Sequence, residues 1–359
     1  MPIIKTETKG KIKVYTVEKE FSDEKMEQKM SKKITRDQIK KIIDHDADVF
    51  TSEGQLLIRF RKNALPKTHI DAFYDAVIKF AHNTTGNRGT ASGSKTMNIA
   101  TNPRVMSNIF GFFDRWTPYQ KFMFKKKGKW PSIDIRECRF NMDSPELYEK
   151  TIPLIDDIDE LYKRLTPEQY KKQIAKANET HFRVGKTAFT TITTNVNYQT
   201  TIHTDKGDDE EGFGNLAVIE RGKYEGGETC IPQYGIGVDV RTGDMLFMDV
   251  HEPHANLPIV LKEKDAKRLS IVCYLRKNVW LRTKGKSKDF FENHNKTVRS
   301  LRFLDPKKNK EIKEKKLKDT ESNKSKTQKN NKIDKPSEKE KNSSKNNKTQ
   351  KKSKGGWFF

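Results

Sequence analysis

Apolar positions along this chain fall into two textures. TRDQIKKIIDHD, residues 35–46, sets Ile39, Ile42 and Ile43 at helical spacing behind Thr35, which predicts a short capped helix. QLLIRFRK, residues 55–62, reads as a strand. Helical spacing returns from Pro145 through Asn178, where Pro153 interrupts the first part. Thr166-Pro167-Glu168-Gln169 is a capping box with proline at the first helical position, so a new helix is expected there. From Phe182 onward the period shortens. TAFTTITTNVNYQTTI, NLAVIE, ETCIPQYGIGVDV, DMLFMDV and RLSIVCYLR are short, rich in Thr, Val and Ile, and separated by Gly or Asp turns. Such spacing predicts an antiparallel barrel or sandwich, and a helical N-terminal layer packed on it makes one α+β domain. No repeat occurs at solenoid spacing.

Composition changes the picture at the two ends. Residues 1–53 are charged and weakly patterned, and read as a basic N-terminal extension carrying the short helix. The folded domain is placed at 54–282, with helical support over about 66–180 and the barrel over about 182–282; 283–305 form a connecting segment. Residues 306–359 read as a disordered polycationic tail: Pro306 to Gly355 holds 19 Lys against 7 Asp and Glu, a net of +12, with almost no large apolar residue to bury. That is about half of the chain's +23, from 72 Lys and Arg against 49 Asp and Glu. An excess of this size points to nucleic acid as partner, with the tail a flexible polycation that raises affinity for phosphate backbones without reading sequence. No segment is long and apolar enough to span a bilayer, and MPIIKTETKGKIKVYTVEKEF lacks the apolar run of a secretory signal. The expectation is an intracellular protein, of cytoplasm or nucleus, with no membrane partner. Cys138, Cys230 and Cys273 lie far apart and form no CxxC pair, which argues against a disulfide framework and a cysteine zinc site.

Candidate chemistry begins in TTIHTDKGD, residues 200–208. In an extended strand Thr201, His203 and Asp205 share a face, so an H-x-D pair can present a nitrogen and an oxygen to one ion. Alone, such a pair is more often an ordinary surface pair. A 2-His-1-carboxylate set with open positions, as in non-haem Fe(II) oxygenases, needs a second histidine. HEPHANLPI offers His251 and His254. Further on, RLSIVCYLR opens with Arg268, and Ser270 shares its face; a guanidinium fork beside a hydroxyl suits a carboxylate. Leu269, Ile271, Cys273 and Leu275 occupy the opposite face, as in any half-buried strand. The ordered set H-x-D, then H, then R-x-S is what an ordinary strand does not predict.

These residues sit among longer blocks: GQLLIRFRKNALP, NRGTASG, NIFGFFDRW, CRFN, TAFTTITTNVNYQTTIHTDKGDDEEGFGNLAVIE, YEGGETCIPQYGIGVDVRTGDMLFMDVHEPHANLPI and RLSIVCYLR. In this order, from about Gly54 to Trp280, the sequence resembles the dioxygenases dependent on Fe(II) and 2-oxoglutarate. Within them it is similar to the branch of the ten-eleven translocation (TET) and base-J-binding protein (JBP) oxygenases. The resemblance implies a double-stranded β-helix core of jelly-roll, cupin-like form. It implies Fe(II) held by His203, Asp205 and His254, with 2-oxoglutarate clamped by Arg268 and assisted by Ser270, and O2 as co-reactant. The implied reaction hydroxylates the 5-methyl group of a DNA pyrimidine, thymine to 5-hydroxymethyluracil or 5-methylcytosine to 5-hydroxymethylcytosine, on a base extruded from the duplex. His254 is preferred over His251 because it heads the His-x-Asn-x-Pro string of the family; Ala255 stands where the family often has glycine. Three cysteines exclude a cysteine-rich domain like that of animal TET enzymes.

Asn195, Asn197 and Tyr198 precede the H-x-D pair and are candidate pocket residues for substrate. Arg88 is another, in GNRGTASGSKT, a loop that fails the G-x-x-x-x-G-K-[ST] phosphate-loop spacing. RWTPYQKFMFKKKGKWP, residues 115–131, interleaves Trp116, Tyr119, Phe122, Phe124 and Trp130 with Arg115 and lysines at 121, 125, 126, 127 and 129. That mix suits phosphate contact and base stacking, and equally a partly buried amphipathic segment with a solvated basic loop. Two other functions remain open. The iron and cosubstrate residues would serve a dioxygenase acting on RNA or on a protein side chain, because they do not report the substrate. A catalytically silent DNA-binding barrel is the other, and intact His203, Asp205, His254 and Arg268 argue against it.

Overall fold

The computed structural model of the chain describes residues 3–86, 88–94 and 102–301. The lysine-rich tail at 306–359, the closing WFF and Lys95 lie outside the described residues. The N-terminal residues form β1 (Ile3–Lys9), β2 (Ile12–Val17), α1 (Asp23–Glu27), β3 (Lys41–Ile43) and β4 (Ala47–Thr51), followed by β5 (Leu56–Arg61) and α2 (Lys67–Ala81). Next come β6 (Ser107–Phe113), α3 (Pro118–Lys127), β7 (Arg136–Glu137) and a helical run of α4 (Arg139–Asp143), α5 (Pro145–Glu149), α6 (Ile152–Leu165) and α7 (Pro167–Asn178). The strand-rich half contains β8 (Thr191–Val196), β9 (Gly214–Arg221), β10 (Tyr224–Gly226), β11 (Thr229–Ile231), β12 (Ile236–Val238), β13 (Met245–Met248), β14 (Ala255–Asn256), β15 (Ile259–Leu261) and β16 (Lys267–Tyr274), then α8 (Lys277–Thr283) and α9 (Lys288–Leu301).

Ten strands pair in the order β1-β2-β4-β5-β13-β9-β16-β8-β6-β7, and four in the order β14-β11-β12-β3. The architecture is mixed α+β around this large sheet. One face of the large sheet carries Ile192, Ala217, Ile219, Met245, Phe247, Leu269, Ile271 and Cys273, and packs on Phe73, Val77, Ile155, Ile158 and Tyr162 of α2 and α6. On the other side, Ile43, Ile231, Ile236 and Val238 of the small sheet pack with Val49, Ile58, Leu246 and Met248 of the large one. Period-2 alternation produces both layers: each strand between the helices and the small sheet has apolar neighbours on both faces.

Several expectations are corrected here. The helix predicted over 35–46 is a single 3-10 turn, Arg36–Gln38, followed by β3. Thr35 and Gln38 do form the capping box, but Ile39 and Ile43 are drawn apart into separate buried clusters, so the isoleucine spacing records burial without a helix. The domain boundary at residue 53 cuts the β4–β5 hairpin, and β1, β2 and β4 are strands of the large sheet, so residues 1–53 are not an extension. Within the helical support, NIFGFFDRW supplies β6, which pairs with β8. The connecting segment 283–305 is mostly α9, whose Val298 and Leu301 pack on Trp116 and Phe124. The helix expected after Thr166 does start at Pro167, yet the Thr166 hydroxyl donates to the Tyr162 carbonyl, 3.0 Å, and no side-chain cap forms.

Helices α6 and α7 fix where β8 begins. Buried Asp159 accepts from the Ala188 N–H, 2.8 Å, and from the Tyr170 hydroxyl, 3.0 Å. Burial pushes its carboxyl up to about 6, and the two hydrogen bonds offset this only in part. A carboxyl raised on folding contributes stability that is present below the ordinary value and lost as pH rises through the folded one. Stability is therefore expected to fall between about pH 4 and 6, by up to ~3 kcal/mol for two pKa units. Urea midpoints across this window should fall more steeply for the wild-type chain than for Asp159→Asn; parallel curves would refute this.

Candidate functional site

Between the two sheets lies a cavity of about 120 Å³, partly open to solvent. The same alternation that sends Leu269, Ile271 and Cys273 of β16 to the helices sends Arg268, Ser270, Val272 and Tyr274 into it. Neighbouring β8 adds Thr193 and Asn195, with Asn195 directly opposite Ser270. The small sheet closes the other side with Thr229, Ala255 and Asn256.

His203, Asp205 and His254 line this cavity, with one potential ligand atom from each inside 4.8 Å of the other two. Neither histidine sits in a long strand. Left-handed Asn197, φ 47°, follows the end of β8, and the chain then runs as a loop to an isolated antiparallel bridge between His203 and His254. Two backbone hydrogen bonds close that bridge, 3.0 and 2.9 Å, and Asp205 N–H donates to Val250 O, 3.0 Å. The imidazoles consequently lie side by side, 4.5 Å between centroids and tilted by 49°.

The tautomers follow from the backbone. His203 Nδ1 lies 2.7 Å from Thr201 O, and His254 Nδ1 lies 2.9 Å from Glu252 O. A carbonyl oxygen only accepts, so each Nδ1 carries the proton and each Nε2 keeps its lone pair. Both Nε2 atoms are 3.7 Å from an Asp205 oxygen. Burial and the facing His254 hold His203 down at about 4, so it is neutral at pH 7. Burial pushes Asp205 up, but His254, His203 and the guanidinium groups of Arg88 and Arg276 together outweigh it and leave the carboxyl below its ordinary range. Two imidazole Nε2 atoms and one carboxylate, converging with carbonyls holding the far ring nitrogens, are the donor set of a divalent transition metal. Among the described residues no other group of three His, Cys, Asp or Glu side chains converges in this way.

Arg268 lies deeper, 4% exposed. Its backbone N–H donates to Asn197 Oδ1, 2.7 Å, yet its guanidinium has no hydrogen bond or ion pair among the described residues. A buried cation without a partner is costly unless an anion is brought to it. Gly227, φ +82°, leaves the space beside it: a Cβ there would meet Arg268 Nε at 2.7 Å and Cδ at 2.8 Å. Gly227→Ala is expected to displace the guanidinium and weaken binding of a dicarboxylate at least 10-fold, read by calorimetry; unchanged affinity would show that the clamp does not depend on this position.

The other expected residues divide. Ser107 Oγ donates to Asn195 Oδ1, 2.5 Å, and accepts from Arg88 Nε; Asn195 Nδ2 donates to Ser270 Oγ, 3.2 Å, so Arg88, Asn195 and Ser270 share one network on the cavity wall. Tyr198 also lines the cavity and donates to Ala91 O, 2.7 Å. Asn197 does not line it: its amide brackets β16 by bonding Arg268 N–H and Ala266 O, which corrects its assignment as a pocket residue. His251 is outside as well, with Nε2 3.1 Å from Asp209 O, and Thr201 contributes its carbonyl to His203 where a side chain on the shared face was expected.

Asp208, Tyr274 and Arg276 line the cavity and were not singled out from the sequence. Burial and the Asp205 carboxylate push Asp208 well up, with Arg276 and Arg88 opposing. Arg276 is divided between Asp208, 4.0 Å, and Asp114, 2.9 Å. The only local signal was the short interval from Asp205 to Asp208; the pairing with Arg276 joins residues 68 apart in the chain.

Residues 121–277 match the family model described as the oxygenase domain of the 2OGFeDO superfamily, whose members use Fe(II), 2-oxoglutarate and O2. A bifunctional helicase and thymine dioxygenase, JBP2 of Leishmania braziliensis, is 36% identical over 141 residues, which are 39% of this chain and 13% of that protein. The thymine dioxygenase JBP1 of Trypanosoma brucei brucei is 32% identical over 173 residues, 47% of this chain and 19% of that protein. The chain thus spans less than a fifth of the length of these relatives. Among solved structures, NgTET1 in complex with 5mC DNA overlaps 74% of this chain and 88% of its own, at 13% identity and a TM-score of 0.46.

Proposed function

We propose, from the match of residues 121–277 to the oxygenase domain of the 2OGFeDO superfamily, that this chain hydroxylates the 5-methyl group of a pyrimidine in DNA at the expense of 2-oxoglutarate and O2. The observation that carries the reading is the convergence of two Nε2 lone pairs and a carboxylate beside a buried, unpaired guanidinium. His203, Asp205 and His254 would hold Fe(II), which when bound supplies the activation of O2. Arg268 would take the distal carboxylate of 2-oxoglutarate, relieving its own unpaired charge, with Ser270 beside it. The overall balance is one methyl group, 2-oxoglutarate and O2 going to a hydroxymethyl group, succinate and CO2. Arg88, Asn195, Tyr198, Asp208 and Arg276 line the rest of the cavity and would orient the base. The two sheets around the cavity support reading the core as a double-stranded β-helix.

DNA as substrate is supported by the thymine dioxygenases the chain is similar to and by its net charge of +23. A methyl group on a stacked base is badly placed for an enclosed cavity, so the base would be extruded, at a cost of about a few kcal/mol. No helix among the described residues is long and apolar enough to cross a membrane, compatible with a nuclear or cytoplasmic site of action. The test is nucleoside mass spectrometry on duplex DNA containing thymine and 5-methylcytosine, incubated with protein, Fe(II), 2-oxoglutarate and ascorbate. One added oxygen on either base is the expected result and names the substrate; succinate release with both bases unchanged would overturn the DNA assignment and favour RNA or a protein side chain.

A further inference from the structure

The segment 115–130 follows the end of β6, where Asp114 holds Arg276, a residue of the cavity wall, at 2.9 Å and Asn278 Nδ2 at 2.7 Å. Thr117 and Gln120 close a capping box, proline occupies the first turn, and left-handed Gly128 ends α3. Its inner face is settled: Met123 and Phe124 are buried, Phe124 packs edge-on to Trp116 at 4.8 Å, and Lys127 Nζ donates to Ser300 O at the end of α9. Its outer face is not covered by the fold. Phe122 is 61% exposed and Trp130 is 55% exposed, with Lys121, Lys125 and Lys129 exposed around them. Trp130 is anchored through Phe124, 5.3 Å between ring centroids, so its ring is positioned as well as exposed. Two large rings left in water cost apolar burial that the inner face of the same helix achieves.

We infer that this outer face of α3 holds the nucleic-acid backbone that flanks the target base. The inference rests on the DNA reading above. A helix of ten residues is ~15 Å long, the span of four or five phosphates along one strand at ~3.4 Å each. Lys121 and Lys125 are one helical turn apart on one side, and Lys129 follows past the cap, a spacing that suits phosphates. Phe122 and Trp130 are exposed beside these cations, and a strand unstacked by extrusion offers sugar and base faces to such rings. A protein partner would meet the same rings, but a row of lysines with no acidic side chain between residues 115 and 133 favours a polyanion.

The test uses the full chain and a fluorescent duplex without turnover, with affinity followed across salt concentrations. Changing Lys121, Lys125 and Lys129 together to Gln is expected to lower affinity at least 10-fold at low salt. It should also reduce the slope of log K against log salt by roughly 2 to 3, near 0.9 for each phosphate left without its cation. Lys9, Lys11 and Lys13→Gln on the β1–β2 hairpin removes the same charge and is expected to change the slope by less than one. Phe122→Ala with Trp130→Ala should weaken binding without altering the slope. Equal effects of the two lysine triples would mean that net charge alone is felt, and would overturn the inference. Wild-type slope and affinity in the α3 triple would overturn it too, while leaving the DNA reading intact if the base is still oxidised. A wild-type chain that neither binds duplex nor oxidises it would sink both.

Discussion

Replacing His203 with alanine is expected to abolish turnover and to weaken iron binding by on the order of 10³-fold or more, since even a partner that only orients a metal ligand is worth ~10–100-fold. His203 Nε2 is one of three converging donors, and among the described residues no histidine besides His203 and His254 lines the cavity, His251 being turned toward Asp209 O. The backbone pairing of residue 203 with His254 does not depend on the side chain. The metal-free variant should therefore melt within a few degrees of wild type while its Tm no longer rises with added Fe(II) under anaerobic conditions. That separation distinguishes a lost ligand from a misfolded loop. A variant that still takes up one iron with wild-type affinity would remove His203 from the site.

Arg268→Ala is expected to raise the KM for 2-oxoglutarate by roughly 30-fold to 5,000-fold, the 2 to 5 kcal/mol typical of deleting one partner of a buried charge pair. The sign of the stability change is the sharper part. Without cosubstrate the guanidinium is buried and unpaired, so Arg268→Met, which keeps most of the volume and drops the charge, should stabilise the free protein while ruining cosubstrate binding. Arg268→Lys should fall between, because it keeps the charge and loses the two-point fork. Thermal shifts of all three, with and without 2-oxoglutarate, together with the KM values, decide the matter. A free-protein Tm that drops sharply in Arg268→Met would mean the guanidinium has an internal structural role, and an unchanged KM would place the carboxylate elsewhere.

Much of the site was legible along the chain because its signals are short. The H-x-D interval, the His-x-Asn-x-Pro string and the R-x-S pair each lie within a few residues, and on β16 strand alternation dictates which side chains face together. Alternation correctly separated Arg268 and Ser270 from Leu269, Ile271 and Cys273. It failed at Asn197, because a left-handed residue ends the strand and turns its amide toward the backbone of β16. It also failed over 35–46, where Ile39 and Ile42 serve one cluster and Ile43 another, since apolar spacing records burial and burial has more than one cause.

By itself the sequence determined the local periods, the order of candidate ligands and the placement of charge, all properties of neighbours within a turn or a pleat. Only the tertiary structure decided that β1, β2 and β4 extend the large sheet, that His203 meets His254 across a bridge, and that Arg276 reaches Asp208 and Asp114. His203 and His254 are 51 residues apart, and Arg276 is 68 residues from Asp208 and 162 from Asp114; what selects such partners is which apolar faces can be buried together. Backbone carbonyls then accept from the two Nδ1–H groups and leave both Nε2 lone pairs turned toward Asp205. Thr201 O and Glu252 O lie only two residues before their histidines, but the bridge between residues 203 and 254 is what brings the two rings and Asp205 together.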